Sequence, residues 1–305
     1  MARNDLTVFG DWGTSRLRLV LFDGDERLGE AEGPGIGALP GSAREALLNT
    51  LAPWRERHAL GRVVLCGMAG SRTGVVEASY ASCPASAVDW ARQAVEISLD
   101  GLAINVAPGV AGLAPNGAPD VMRGEEAQVF GALALRPDLA RGEQMFVLPG
   151  THSKWCHVRD GRILGFHTFL TGELFALLST RSSLLLGATG SEDAETHEAG
   201  FAASLSRARD TRLLGAVFEA RAAQLRADRS GDWAIGFLSG LLVGSELVEA
   251  LAAHNAASLT LVGAPLLLQR YLAALQAYSI EVETMSGEDC VLAGLQLLFE
   301  TRPRT

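Results

Sequence analysis

Apolar positions come in short runs near the start of the chain and in helical spacing towards its end, and that alternation sets the expected layout. Leu6 to Phe9 and Leu17 to Phe22 flank the segment Gly10-Asp11-Trp12-Gly13-Thr14-Ser15, which reads as a β-hairpin with a polar, glycine-containing turn. Leu28 to Ala31 follows as a third strand. Ala43, Ala46, Leu47, Leu51 and Trp54 then predict a helix over Ser42 to His58, with Ser42 as its N-cap. Val63 to Cys66 is a buried strand feeding the turn Gly67 to Gly74, Ile104 to Ala107 is another strand, and Glu125 to Leu135 is a helix.

After the polar stretch Arg141 to Gln144 the pattern starts again. Met145 to Leu148 leads into the turn Pro149-Gly150-Thr151-His152-Ser153-Lys154, and strands follow at Trp155 to Val158 and Ile163 to Phe166. Strand, Gly-Thr-Ser turn and strand thus occur twice, which reads as a structural duplication with lobes at 1–143 and 144–305. The second half is mostly helical, with helices at Gly172 to Leu178, Ala199 to Ser206, Leu213 to Leu225, Trp233 to Leu251 and Leu266 to Leu275. Strands at Ser258 to Val262 and Ile280 to Thr284 and a closing helix at Val291 to Phe299, expected to pack back on the first lobe, complete an α/β chain with mixed sheets.

Composition narrows the function. The formal charge of -9 argues against a nucleic-acid surface, which needs a net basic face, but leaves room for a small anionic ligand held by a few Arg. Cys66, Cys83, Cys156 and Cys290 have no metal-type spacing and fit reduced thiols in a cytosol. The first residues carry no apolar signal region, and the longest uncharged stretch, Ala234 to Ser245, is shorter than the ~20 residues of a spanning helix. A cytoplasmic chain with no membrane partner is therefore expected.

Two turns are candidates for phosphate chemistry. In Asp11-Trp12-Gly13-Thr14-Ser15-Arg16 the glycine allows close backbone approach, the hydroxyls add donors, and a carboxylate at the strand end suits a hydrated Mg²⁺. A plain β-turn uses the same residue types, so the turn alone decides nothing. Gly150, Thr151, Ser153 and Lys154 occupy the equivalent turn of the second half, and the pair says more than either member. Lys154, the sole lysine, could supply a point charge to phosphate or lie solvated beside a core Trp, while His152 reads as a local hydrogen-bonding residue.

Together with Leu261-Val262-Gly263-Ala264 opening a helix, this order is similar to the actin, sugar kinase and Hsp70 ATPase superfamily. More narrowly, the chain resembles the 2-dehydro-3-deoxygalactonokinase family in DWGTSRLRLVLF, CGMAGSRTGV, VMRGEEAQVFGA, VLPGTHSKW, TFLTGELFALL and FLSGLLVGSEL, which span nearly its whole length in order. The resemblance implies two ribonuclease H-like (actin-like ATPase) lobes with a nucleotide cleft between them, and transfer of a phosphoryl group from ATP to the 6-hydroxyl of 2-dehydro-3-deoxy-D-galactonate in galactonate catabolism. Asp11 matches the position that holds Mg²⁺. Glu125 or Glu126 is the implied base, with Glu125 preferred, and the dipole at a helix N-terminus is expected to keep such a carboxylate ionised. Gly13, Thr14 and Ser15 with the second turn would bind ATP phosphates, and Gly263 and Ala264 the adenosine, although Ala264 replaces a common second glycine and Pro149 a common Asp. The substrate carboxylate calls for an Arg, and Arg123, Arg72 and Arg16 sit in motif turns. Thr171 and Glu173 either touch substrate or, as the more favoured reading of Thr171, cap the next helix. A homodimer is the assembly the resemblance suggests.

Other readings remain open on sequence. The substrate could be another 2-keto-3-deoxy sugar acid, or water could replace it in a phosphohydrolase. A sugar-sensing regulator would be expected to add a DNA-binding segment, and a dinucleotide-binding fold would show G-x-G-x-x-G leading into a helix, which is missing.

Overall fold

The computed structural model describes residues 6–186, 193–254 and 256–301. These form two compact units. Unit 1 takes the chain up to Gln144, then Cys156–Phe166 and the residues from Met285 onward, while unit 2 takes Met145–Trp155 and His167–Thr284. In chain order the first half contributes β1 (Leu6–Trp12), β2 (Arg16–Asp23), β3 (Glu26–Pro34), α1 (Ala43–Arg55), β4 (Leu60–Gly67), β5 (Tyr80–Ser82), β6 (Ala85–Ser86), α2 (Ala87–Ala91), β7 (Val95–Leu99), β8 (Leu102–Val106), β9 (Gly109–Leu113), β10 (Pro119–Met122) and α3 (Glu125–Leu135). The second half contributes β11 (Glu143–Leu148), β12 (Ser153–Arg159), β13 (Arg162–Phe169), α4 (Thr171–Arg181), α5 (Ala194–Asp210), α6 (Leu213–Ala216), α7 (Glu219–Arg226), α8 (Gly231–His254), β14 (Ser258–Gly263), α9 (Pro265–Leu275), β15 (Glu281–Ser286) and α10 (Gly287–Thr301).

The main sheet of unit 1 has the order β3-β2-β1-β4-β8-β7. β1 to β3 form an antiparallel meander, and β1, β4 and β8 run parallel. Alternation along β1 sends Val8 and Trp12 to one face, where Leu17, Leu19, Val63, Leu65 and Ile104 meet Leu47 and Leu51 of α1. That helix starts where Ser42 was expected to cap it: Ser42 and Glu45 form a reciprocal capping box. Phe9 lies on the opposite face, edge to face with Phe22 at 5.5 Å and with Phe299 of α10 at 6.3 Å.

α10 and α3 approach each other without side chains between them. A Cβ on Gly131 would lie 1.7 Å from the Cys290 carbonyl oxygen, and one on Gly294 would lie 2.0 Å from that of Ala127. Unit 2 repeats the device. α5 lies on α8 through Gly200, Gly236 and Gly240, whose added Cβ atoms would meet the carbonyl oxygens of Trp233, His197 and Phe201 at 2.1, 2.0 and 2.5 Å. In unit 2, β14 lies beside β11 and runs parallel to it. Met145, Val147, Leu259 and Leu261 pack there with Leu268 and Tyr271 of α9 and Val243 and Leu247 of α8.

Two expectations change. The helix expected over Leu213 to Leu225 is two, α6 and α7, interrupted at Val217 and Phe218. The apolar stretch around Ala234 belongs to a 24-residue helix that is long and apolar enough to cross a membrane, yet 72% of its most apolar window is buried inside the protein. β7, β9 and β10 escape the hydrophobic pattern because they are short and carry Gly, Ser, Glu, Asp or Pro in place of a continuous apolar run.

Gly131→Ala tests the α3–α10 seam. With a carbonyl oxygen in the way, the methyl group forces the helices apart, and the expected loss is at least ~3 kcal/mol, the upper end of overpacking costs. It should appear as a lower denaturant midpoint at unchanged m-value.

Candidate active site

Strand register places the first group of candidates. Asp11 of β1 lies opposite Arg18 on β2 and Cys66 on β4. Arg18 Nη2 accordingly donates to Asp11 Oδ2 at 3.2 Å, and the Cys66 thiol lies 3.8 Å from Oδ1. Burial, with Asp11 next, pushes the Cys66 thiol well above its ordinary value, so it stays protonated.

The glutamates reach the same place through two glycines. β4 ends at Gly67 with φ +70°, and α3 is opened by Gly124 with φ +116°. A Cβ on Gly124 would stand 3.2 Å from the Cα of Gly67, and one on Gly67 would stand 2.5 Å from the Trp12 carbonyl oxygen and 3.4 Å from Asp11 Oδ1. Only glycine meets both demands, a left-handed backbone and no side chain. The N-terminus of α3 is thereby set against the strand ends that carry Asp11 and Cys66.

Both glutamates fold back on backbone N–H groups that the helix leaves unpaired. Glu125 Oε2 accepts from Arg123 N at 3.1 Å, and Glu126 accepts from Gly124 N with both oxygens, at 2.9 and 2.8 Å. Glu125 is half-buried, whereas Glu126 is fully buried. Desolvation, with the neighbouring Glu125 second, pushes the Glu126 carboxyl up to about 8 despite the Gly124 N–H. The expectation that the helix dipole keeps the base carboxylate ionised therefore fails for Glu126, because burial outweighs the field of one helix end.

Among the arginines, Arg123 lies over the Tyr80 ring at 4.2 Å and donates from Nη2 to the Ala78 carbonyl at 2.9 Å, and its Nη1 is buried beneath Gly70 without a hydrogen-bond partner. Arg72 is highly exposed and pairs with Glu77, and Arg16 is exposed and pairs with Glu32.

The first turn is braced from its side. Gly13 N donates to Arg16 O, Ile36 N to Gly13 O and Gly37 N to Thr14 O, and a Cβ on Gly35 would fall 2.2 Å from the Ser15 carbonyl carbon. Thr14 and Ser15 remain exposed. In unit 2 the Gly150-Thr151 turn is braced in the same way by the start of α4: Glu173 N donates to Thr151 O, and a Cβ on Gly172 would fall 2.3 Å from Gly150 O. Gly150 itself has open space around its Cα, and His152 pairs with Glu173 at 2.5 Å.

Ser153 and Lys154 turn inward. Lys154 is only 3% exposed and its Nζ donates to His152 O at 3.4 Å, so the expected alternative of a solvated lysine does not hold. Ser153 Oγ donates to Glu246 Oε1 at 2.7 Å, Trp155 Nε1 to the same oxygen at 2.8 Å, Tyr271 OH to Oε2 at 2.6 Å, and Thr171 Oγ1 also to Oε2. Thr171 thus spends its hydroxyl on Glu246 rather than on capping α4, whose N-cap is Leu170. Glu246, Tyr271 and the brace Gly35 are the residues that sequence reasoning passed over. A carboxylate at the end of the uncharged run Trp233 to Ser245 of α8 was the available signal for Glu246.

Gly263 ends β14 and Ala264 is the N-cap of α9, followed by Pro265. Gly263 is buried, and a Cβ on it would meet Pro149 and Leu268 at 3.7 Å, an ordinary contact, while Ala264 is exposed. The donor chemistry at Asp11 fits magnesium. Oδ1 is not in the ion pair with Arg18, the side chain is 23% exposed, and no group of three or more His, Cys, Asp or Glu among the described residues could cage a metal. A hard cation that keeps its waters and takes phosphate oxygens needs no more than such a carboxylate.

The glutamate-bearing turn at the end of β10 and the Gly-Thr-x-Ser-Lys turn after β11 fall inside the match to the 2-keto-3-deoxy-galactonokinase family, which covers residues 11–298. The chain belongs to that family. It is 35% identical over 291 residues to the 2-dehydro-3-deoxygalactonokinase of Escherichia coli (strain K12), covering 94% of each. A Sinorhizobium meliloti crystal structure described as a candidate 2-dehydro-3-deoxygalactonokinase matches 96% of both chains with a TM-score of 0.87 at 33% identity. Acetate kinase from Entamoeba histolytica, at 10% identity and a TM-score of 0.51 over 97% of this chain and all of its own, shares the fold alone, the two-lobed actin-like ATPase architecture.

The raised Glu126 pKa has a sign that can be measured. The native state holds a proton up to about pH 8 that the unfolded chain releases near 4.5, so this group's contribution to stability is full below about 4.5 and fades as the pH rises towards 8. Glu126→Gln should remove that slope, gaining on the order of 5 kcal/mol over wild type between the two limits. Denaturant titrations at pH 5, 6.5 and 8 check it.

Proposed function

We propose that this chain transfers the γ-phosphoryl group of ATP to the 6-hydroxyl of 2-dehydro-3-deoxy-D-galactonate, giving the 6-phosphate and ADP. The observation that carries the reading is the Gly67–Gly124 approach, because it sets a candidate base at the start of α3 against the strand end that bears the candidate metal carboxylate, Asp11. The family supplies the substrate class. Phosphoryl transfer asks mainly for positioning and charge stabilisation, with a carboxylate oriented at the attacking hydroxyl.

Asp11 would hold Mg²⁺ through water, and the cation would neutralise charge on the phosphates. Glu125 is the base we assign: it is the accessible member of the pair, and a proton resting on Glu126 removes the like charge beside it. The hydroxyl proton passes to Glu125 as the oxygen–phosphorus bond forms and the bond to the β,γ-bridging oxygen breaks. Gly13, Thr14 and Ser15 offer backbone and hydroxyl donors to phosphate, as do Gly150 and Thr151 of the second turn, and Gly263 and Ala264 take the adenosine. Arg72 and Arg16, exposed and only loosely paired, are better suited to a substrate carboxylate than Arg123, one Nη of which is spent on Ala78 and the other buried. A cytoplasmic location follows from the use of ATP.

A coupled assay of ADP release over a panel of 2-keto-3-deoxy sugar acids, hexoses and no acceptor should respond to the galactonate derivative above the others. Release without acceptor would make the chain a hydrolase. Asp11→Ala should abolish magnesium-dependent turnover, and near-normal rates would sink the metal assignment. Glu125→Gln should lower kcat by at least ~10²-fold, the usual worth of a general base, while Glu126→Gln should cost less than about a tenth of that factor. Equal losses would remove Glu125 from the role.

A further inference from the structure

Glu246 is a carboxylate with no part in the chemistry above, yet it accepts four side-chain hydrogen bonds. It is 3% exposed and accepts from four side chains on three other elements: Ser153 and Trp155 on β12, Thr171 on α4 and Tyr271 on α9. Ser153 receives a further contact from Tyr271 OH at 3.3 Å. Burying a carboxylate is costly unless its lone pairs are used, and here both oxygens take two donors each. What these bonds fix in place is specific. Ser153 ends the Gly150-Thr151 turn, and Thr171 begins the helix whose next two residues, Gly172 and Glu173, press on Gly150 O and hold Thr151 O. Both walls of that turn therefore converge on one carboxylate.

We propose that Glu246 is a positioning residue for the nucleotide phosphates, fixing the shape of the Gly150-Thr151 turn from beneath through Ser153 and from the side through Thr171. This rests on reading that turn as a phosphate-binding element. A turn held in its binding shape before ligand arrives spares the ordering cost on association, so loosening it weakens nucleotide binding without touching the sugar-acid site. A hub of this kind predicts a kinetic signature that a merely structural carboxylate would not give.

Glu246→Gln keeps the shape and one full acceptor. Its carbonyl can serve Trp155 and Ser153, and the hydroxyls of Thr171 and Tyr271 can rotate to accept from its amide, so the fold is retained. We expect KM for ATP to rise about tenfold, the loss of one charge-assisted hydrogen bond, with KM for the sugar acid within about twofold of wild type. Tyr271→Phe, which deletes one donor and leaves the carboxylate, should shift KM for ATP the same way by less. Thr151→Val, on the turn itself, reports on the underlying reading. If Thr151→Val raises KM for ATP while Glu246→Gln and Tyr271→Phe lower only the denaturant midpoint, Glu246 is structural and the proposal is overturned. If all three leave KM for ATP unchanged, the turn does not bind nucleotide, and the proposal falls with that reading.

Discussion

Two glycines that face each other, Gly67 at the end of β4 and Gly124 before α3, set the geometry on which the rest of unit 1 depends. Their positive φ values and the 3.2 Å that would separate a Cβ on one from the Cα of the other let a helix N-terminus come down on the edge of a parallel sheet. Charge then follows sterics. The glutamates of α3 arrive beside Asp11 and Cys66, and the environment separates them into a fully buried carboxyl that keeps its proton and a half-buried one. Neither the register of Asp11 between Arg18 and Cys66 nor the caps at Arg123 N and Gly124 N would matter chemically if those backbones stood further apart.

The two Gly-Thr turns share more than their sequence. Each follows the first strand of a hairpin, and each is pinned by a glycine-bearing segment that comes two strands later, Gly35 to Gly37 in unit 1 and Gly172 in unit 2. In both cases a glycine sits where a side chain would strike the turn backbone. The two turns are thus held in the same way. The anchors beneath differ: Trp12 Nε1 donates to the Pro34 carbonyl, whereas Trp155 Nε1 donates to Glu246.

Much of the fold was legible because its long elements are periodic. α3 runs over the expected Glu125 to Leu135, the β1–β2 hairpin has the expected turn, and Ser42 caps α1. The short strands β9 and β10 were not legible, since Gly109–Leu113 and Pro119–Met122 are stabilised by their neighbours rather than by their own pattern. The candidate residues were read from motif order, but the partners of their side chains were less visible. That Ser153 and Thr171 point at Glu246, or that Lys154 is buried, depends on which way each residue faces in the tertiary fold. No spacing in the sequence brings Glu246, Tyr271 and Thr171 together, for 75 and 25 residues separate their partners along the chain.

The bare helix seams in each unit bear on how such a chain can vary. Alanine is used freely elsewhere, and a swap of glycine for alanine within a helix would ordinarily favour the helix by about 1 kcal/mol. At Gly131, Gly294, Gly200 and Gly236 that local gain is overruled by a carbonyl oxygen no more than 2.1 Å from where the methyl carbon would stand. These four sites are therefore closed to the mildest of substitutions, and a change that strengthens each helix taken alone would unseat the pair.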